Sequence, residues 1–119
     1  WTAHADLAEA AAAILAQPGR FEGPTPPLTA QEALDLDDIA AIAAKIAGRT
    51  IRRERISDAE MEARLTRQGL PAPAVRISLG MFRASRAGEF ATIDPTLPTL
   101  IGRPTTSLSQ VLADELGGK

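Results

Sequence analysis

Between Leu36 and Gly48 the apolar residues Leu36, Ile39, Ala43, Ile46 and Ala47 recur at three- and four-residue steps, which aligns them along one stripe of a helix. Both ends are marked. Asp35 can accept the free N–H groups of the first turn, Asp38 stands at the third helical position, and Leu34 and Ile39 have the spacing of a hydrophobic staple. Gly48 supplies the positive φ that closes such a helix. Leu28-Thr29-Ala30 before it and Thr50 to Ser57 after it are short, bounded segments that read as strands. Strand, helix and strand in that order predict a small parallel βαβ unit with a right-handed crossover. Neither strand is strong. Pro24, Pro26 and Pro27 confine the first to an edge, and the second alternates poorly, with only Ile51 and Ile56 large and apolar.

The same periodicity predicts helices elsewhere. One runs from Thr2 or His4 to about Ala16, with Leu7, Ala10, Ala11, Ile14 and Leu15 as its apolar face, and Pro18-Gly19 ends it. Asp6 and Glu9 lie in its first turns, where the helix dipole favours them. Ser57-Asp58-Ala59-Glu60 is a capping box for a helix to about Gln68, with Ile56 and Met61 as its staple. Pro71 to Ala87 is a further helix, with Val75, Leu79, Phe82 and Arg86 on one stripe and Ile77, Met81, Ala84 and Ser85 beside it. Phe90 to Ile93 reads as extended. Asp94-Pro95 starts a short helix that Gly102 ends, and Thr106 is the expected cap of a last helix over 107–116 whose Leu108, Val111, Leu112 and Leu116 face inward. Gly117-Gly118-Lys119 should fray.

Composition narrows the picture. Of 53 hydrophobic residues 23 are alanine, so the core is thin for a chain of 119 residues. Each buried leucine or isoleucine side chain contributes about 1.5–3 kcal/mol, an alanine far less. Such a chain is expected to lean on something else, either a second copy, meeting through Leu7, Ile14 and Leu15, or a further segment of its own protein. A net charge of -2 sets up no field that would recruit nucleic acid or an anionic membrane. No cysteine is present, which removes disulfides and thiolate chemistry, and one histidine, His4, cannot build a histidine-rich metal site. No apolar run reaches the length of a membrane span, and a cytoplasmic protein is the expectation.

Several pieces, taken in order, resemble a known family. They are Ala5-Asp6-Leu7-Ala8 opening an alanine-rich helix, the Leu28-Thr29 strand end, Leu36 to Gly48, Ile56-Ser57-Asp58, Gly69-Leu70-Pro71, Gly88-Glu89-Phe90, and the run Leu100-Ile101-Gly102-Arg103-Pro104-Thr105-Thr106-Ser107-Leu108. Together they are similar to the C-terminal part of NmrA-like proteins, atypical short-chain dehydrogenase/reductases, and most of all to the NAD(P)H-dependent quinone oxidoreductase type. The resemblance implies an α/β protein: the helix-rich C-terminal portion of a Rossmann-like NAD(P)-binding fold, with residues 1–30 the last helix and strand of the Rossmann-like half and 31–119 a substrate-side lobe. It implies NADPH or NADH as cofactor, a small acceptor such as a quinone as substrate, and the chain's own absent N-terminal half as partner. The family's Gly-x-x-Gly-x-x-Gly phosphate turn occurs nowhere in these residues, and there is no tyrosine. A fragment, inactive alone, is therefore the expected reading. The alternative within the family is a non-catalytic redox-sensing or dimerisation module.

On this reading the acceptor pocket falls to Met81, Phe82, Arg86 and Phe90, because aromatic and thioether groups beside a cation suit a flat, oxygen-bearing ring. Ordinary core packing is the competing account of Met81 and Phe82. Arg49, Arg52, Arg53 and Arg55 form a basic cluster that reads as a solvated edge before it reads as a phosphate contact. His4 and Asp6 read as helix-start residues. The trio Asp35, Asp37 and Asp38 reads as capping before it reads as a cation site. No catalytic, cofactor-binding or metal-binding residue is assigned within these residues.

Overall fold

The computed structural model describes residues 1–117 and contains six helices among them: α1 (His4–Leu15), α2 (Leu36–Ala47), α3 (Asp58–Arg67), α4 (Ala72–Arg86), α5 (Thr96–Ile101) and α6 (Leu108–Gly117). The expected fraying of Gly117-Gly118-Lys119 and the inward-facing Leu116 side chain fall outside what is described. No described helix is long and apolar enough to cross a membrane.

The expected βαβ unit is corrected. No strand occurs among the described residues. A ladder needs a second edge, and neither segment finds one. The polar groups of the first are taken up elsewhere: the Ala30 N–H donates to Thr2 Oγ1 at 3.2 Å, and Thr29 Oγ1 accepts from the Asp94 N–H at 2.8 Å. The prolines before Leu28 have no N–H to offer. In the second segment Glu54 turns to Arg64 on α3, at 3.2 Å.

The chain divides into two units. One comprises Trp1–Arg52 with the residues from Thr92 onward. Within it α1 packs on α5, and α2 on α6. Ala10 and Leu97 are fully buried there. The α1 face is turned from its expected position: Asp6 and Ala10 are inside, Leu7, Ala13 and Ile14 are half-buried, and Leu15 is 80% exposed. The cause is Asp6, whose carboxylate is drawn inward by the residues after Gly102. The α2 boundaries are as the pattern predicts. Asp35 Oδ1 accepts from the Asp37 and Asp38 N–H groups, Asp38 Oδ2 accepts from the Asp35 N–H, and Gly48 takes φ +62°. The cap of α6 is corrected by one residue. Ser107 exchanges hydrogen bonds with Gln110, and Thr106, expected as the cap, is bound to Asp6 instead.

The other unit, Arg53–Ala91, is α3 packed on α4. Val75 and Leu79, four residues apart, are its buried residues, and Met61 and Leu65 on α3 are half-buried. The Ser57–Glu60 capping box forms as predicted, with Glu60 Oε2 accepting from the Ser57 N–H at 2.8 Å and Ser57 Oγ from the Glu60 N–H at 3.2 Å.

Candidate functional site

Met81, Phe82, Arg86 and Phe90 all lie in the Arg53–Ala91 unit. Phe82 and Arg86 are four apart on α4 and so share a face. Met81 falls on the adjoining face with Ile77, and Phe90 follows the helix in the turn at 87–90. Met81 and Phe90 are more than half exposed, and Phe82 is about one-third exposed. Within this chain none of the three is core.

Arg86 is fixed from the side. Its Nη2 donates to Asp58 Oδ1 at 2.8 Å, while Arg83 Nε donates to Asp58 Oδ2 at 2.8 Å. One carboxylate in the first turn of α3 thus holds two guanidiniums of the last turn of α4. The Arg83 hydrogen bond pulls the Asp58 carboxyl down, burial pushes it part of the way back, and the Arg86 hydrogen bond and both guanidinium charges keep it below its ordinary value. The α3 and α4 dipoles favour these charges where they stand.

In the first unit a second polar arrangement had no counterpart among the predicted site residues. Asp6 is fully buried. Its Oδ2 accepts from the Thr106 N–H at 2.6 Å, and its Oδ1 from Thr106 Oγ1 at 2.9 Å and Arg103 Nη2 at 2.8 Å. Arg103 Nη2 also reaches Glu9 Oε2, at 2.6 Å. Burial pushes the Asp6 carboxyl up, but the Thr106 and Arg103 hydrogen bonds outweigh it, so Asp6 sits below its ordinary value. Arg103 is raised by Asp6 and then Glu9. One signal for this was available. Asp6, Ala10 and Ile14 are four apart, and an acid in register with a buried stripe demands a partner.

Beside that loop lies a hollow of about 290 Å³, lined by Trp1, Ala30–Glu32, Leu34 and Thr105–Leu108. The two arrangements differ in character. The hollow mixes the apolar side chains of Trp1, Leu34 and Leu108 with polar ones, Gln31, Glu32 and Thr105–Ser107, whereas the α4 face sets phenyl rings and a thioether beside cations. Of the basic cluster, Arg49, Arg52, Arg53 and Arg55 are all exposed.

No protein-family model matches the chain. Quinone oxidoreductase 2 of Escherichia coli is 35% identical over 107 residues, which is 89% of this chain and 37% of that protein. A crystal structure of an NADPH-dependent quinone oxidoreductase from Escherichia coli superposes with a TM-score of 0.87 at 29% identity, over 97% of this chain and 42% of the other. The homologues of this chain are NmrA-like NAD(P)H reductases, matched over a C-terminal part of their length. Triphenylmethane reductase from Citrobacter sp., crystallised with NADP(H), is also similar, with a TM-score of 0.84 and 26% identity over 95% of this chain and 39% of its own. The chain thus spans about two-fifths of the length of the NmrA-like reductases it matches.

Proposed function

We propose that these residues form the substrate-side lobe of an NAD(P)H-dependent, quinone reductase-like enzyme of Rossmann-like fold that acts in the cytoplasm. The observation that carries this reading is the ordered similarity to quinone oxidoreductase 2 across 89% of the chain. On this proposal residues 1–30 close the nucleotide-binding half, and 31–119 contribute the acceptor side. Met81, Phe82 and Phe90 present flat or polarizable apolar surface to the acceptor ring, and Arg86 donates to a carbonyl oxygen on it. Hydride transfer asks of such residues mainly placement and exclusion of water.

The residues present do not fit the dinucleotide itself. Phosphates are commonly held by free N–H groups at a helix start, next to glycine. Here α2 and α3 begin with their own carboxylates, from Asp35, Asp38 and Glu60, and α6 with Gln110, while α1 carries Asp6 in its first turn and α4 carries Pro73, which has no N–H to give. The Gly-x-x-Gly-x-x-Gly turn is missing from the sequence. NADPH or NADH is therefore assigned to the remaining part of the enzyme, and no step is assigned to it here.

The test is a comparison of the full-length protein with the 119-residue chain. The full-length protein should oxidise NADPH when a naphthoquinone is added, and the short chain should neither bind NADPH at micromolar concentration nor turn over. Full-length protein that binds NADPH yet reduces no quinone would overturn the enzyme reading in favour of a dinucleotide sensor.

A further inference from the structure

We propose that the Arg83–Asp58–Arg86 cluster makes the acceptor site favour flat rings that carry an anionic group, a sulfonated naphthoquinone for example, over their neutral parents. The inference rests on the reading above that Phe82 and Arg86 face the acceptor, and it adds a rule of selection to it.

The argument begins with charge. Asp58 shares one carboxylate between two guanidiniums, each at 2.8 Å, so it can neutralise only one of them. One positive charge is left over, four residues from Phe82 and five from Met81. The surroundings do not cancel it. Among the described residues Asp58 is the one carboxylate within ion-pair distance of Arg83 or Arg86. Nor does pH cancel it within the working range, because arginine does not deprotonate.

Geometry supplies the second half. Asp58 fixes one edge of the Arg86 guanidinium, and the remaining N–H groups of Arg86 have no partner among the described residues. A planar fork held at one edge and open at the other is suited to a planar or tetrahedral oxyanion. A neutral quinone offers that fork a carbonyl only. A ring bearing a sulfonate or carboxylate offers a charge as well, with Phe82 alongside to cover its face. Arg86 is more than half exposed, so the preference is modest and sensitive to salt.

The experiment uses the full-length protein with NADPH and two acceptors, 2-methylnaphthoquinone and a naphthoquinone sulfonate. These differ in intrinsic reactivity, so the readout is the change in their kcat/KM ratio. Arg83→Gln should lower the sulfonate-to-neutral ratio about threefold, and Asp58→Asn should raise it by about the same factor. Raising ionic strength from about 0.05 M to about 0.5 M should lower the wild-type ratio in the same direction. Loss of folded protein lowers both rates and leaves the ratio alone, and the salt series needs no variant. A ratio indifferent to both substitutions and to salt overturns the proposal. If no quinone is reduced, the enzyme reading fails instead. Calorimetry with naphthalene sulfonate against naphthol then tests the cluster by itself, and equal affinity for the two overturns it.

Discussion

The two units are held together by different means. In Arg53–Ala91 the side-chain hydrogen bonds that join α3 to α4 are short in sequence, 25 residues for Arg83 to Asp58 and 28 for Arg86 to Asp58, and the apolar centre is Val75 with Leu79 on a single helix. In the other unit the decisive bonds join Asp6 to Thr106, 100 residues away, and Asp6 to Arg103, 97 away. A local helix pair can be stabilised by caps and two well-placed side chains. A unit whose pieces come from both ends of the chain, with Ala10 and Leu97 as its fully buried apolar residues, needs a polar tie strong enough to offset the closure of a long loop. The lesson is that a buried carboxylate can take over part of what a larger core would otherwise do, provided all of its oxygens are satisfied.

That contrast can be broken from either side. Leu97→Ala should have the largest effect, about 3 kcal/mol, because Leu97 is fully buried where α1 packs on α5. Hydrogen exchange should show the loss in α1 and α5, with α3 and α4 retaining their protection. Asp6→Ala should follow at about 2 kcal/mol, since it strands the Thr106 N–H and hydroxyl while the half-exposed Arg103 returns to water. A smaller loss from Leu97→Ala than from Ser57→Ala would mean that the first unit does not depend on its α1–α5 contact.

Acid should pick out the same tie. The folded Asp6 carboxyl lies below its ordinary value, so its contribution is fully present above about pH 4 and disappears as pH falls through the folded value. Exchange rates in α1 should therefore rise below about pH 4 in the native protein, and Asp6→Asn should flatten that dependence. Ser57→Ala comes next, at about 1 kcal/mol, for loss of the α3 cap, read as fraying confined to the start of that helix. Glu54→Gln should be the smallest, because the Glu54–Arg64 pair is well exposed, and a melting curve indistinguishable from wild type is the expected result.

The same difference in range explains what could be read in advance. The boundaries of α2 and α3 follow from Asp35, Asp38, Gly48, Ser57 and Glu60, all of which act within a turn of themselves, and the Val75–Leu79 stripe follows from helical spacing. Two things did not follow. Strand pairing is a property of two segments, and Thr50–Ile56 has the composition of an edge with no second edge to meet among the described residues. The inward turn of Asp6 depends on Arg103 and Thr106. Their run, Leu100 to Leu108, was conspicuous as a resemblance, yet nothing in the spacing of α1 says that it binds there. At the proposed acceptor face the residue types were legible, whereas the grip of Asp58 on Arg83 and Arg86 was not. It needs α3 and α4 side by side, and Asp58 already had a complete local account as a first-turn acid.

The tie at Asp6 also sets an order of events during synthesis. Residues 53–91 include the Ser57–Glu60 cap, the Asp58 ion pairs and the Val75–Leu79 centre of the α3–α4 pair, all of them made before Arg103 is reached. The carboxylate of Asp6 must wait in water until Arg103 and Thr106 have left the ribosome, so α1 is sealed only after α3 and α4 have been made.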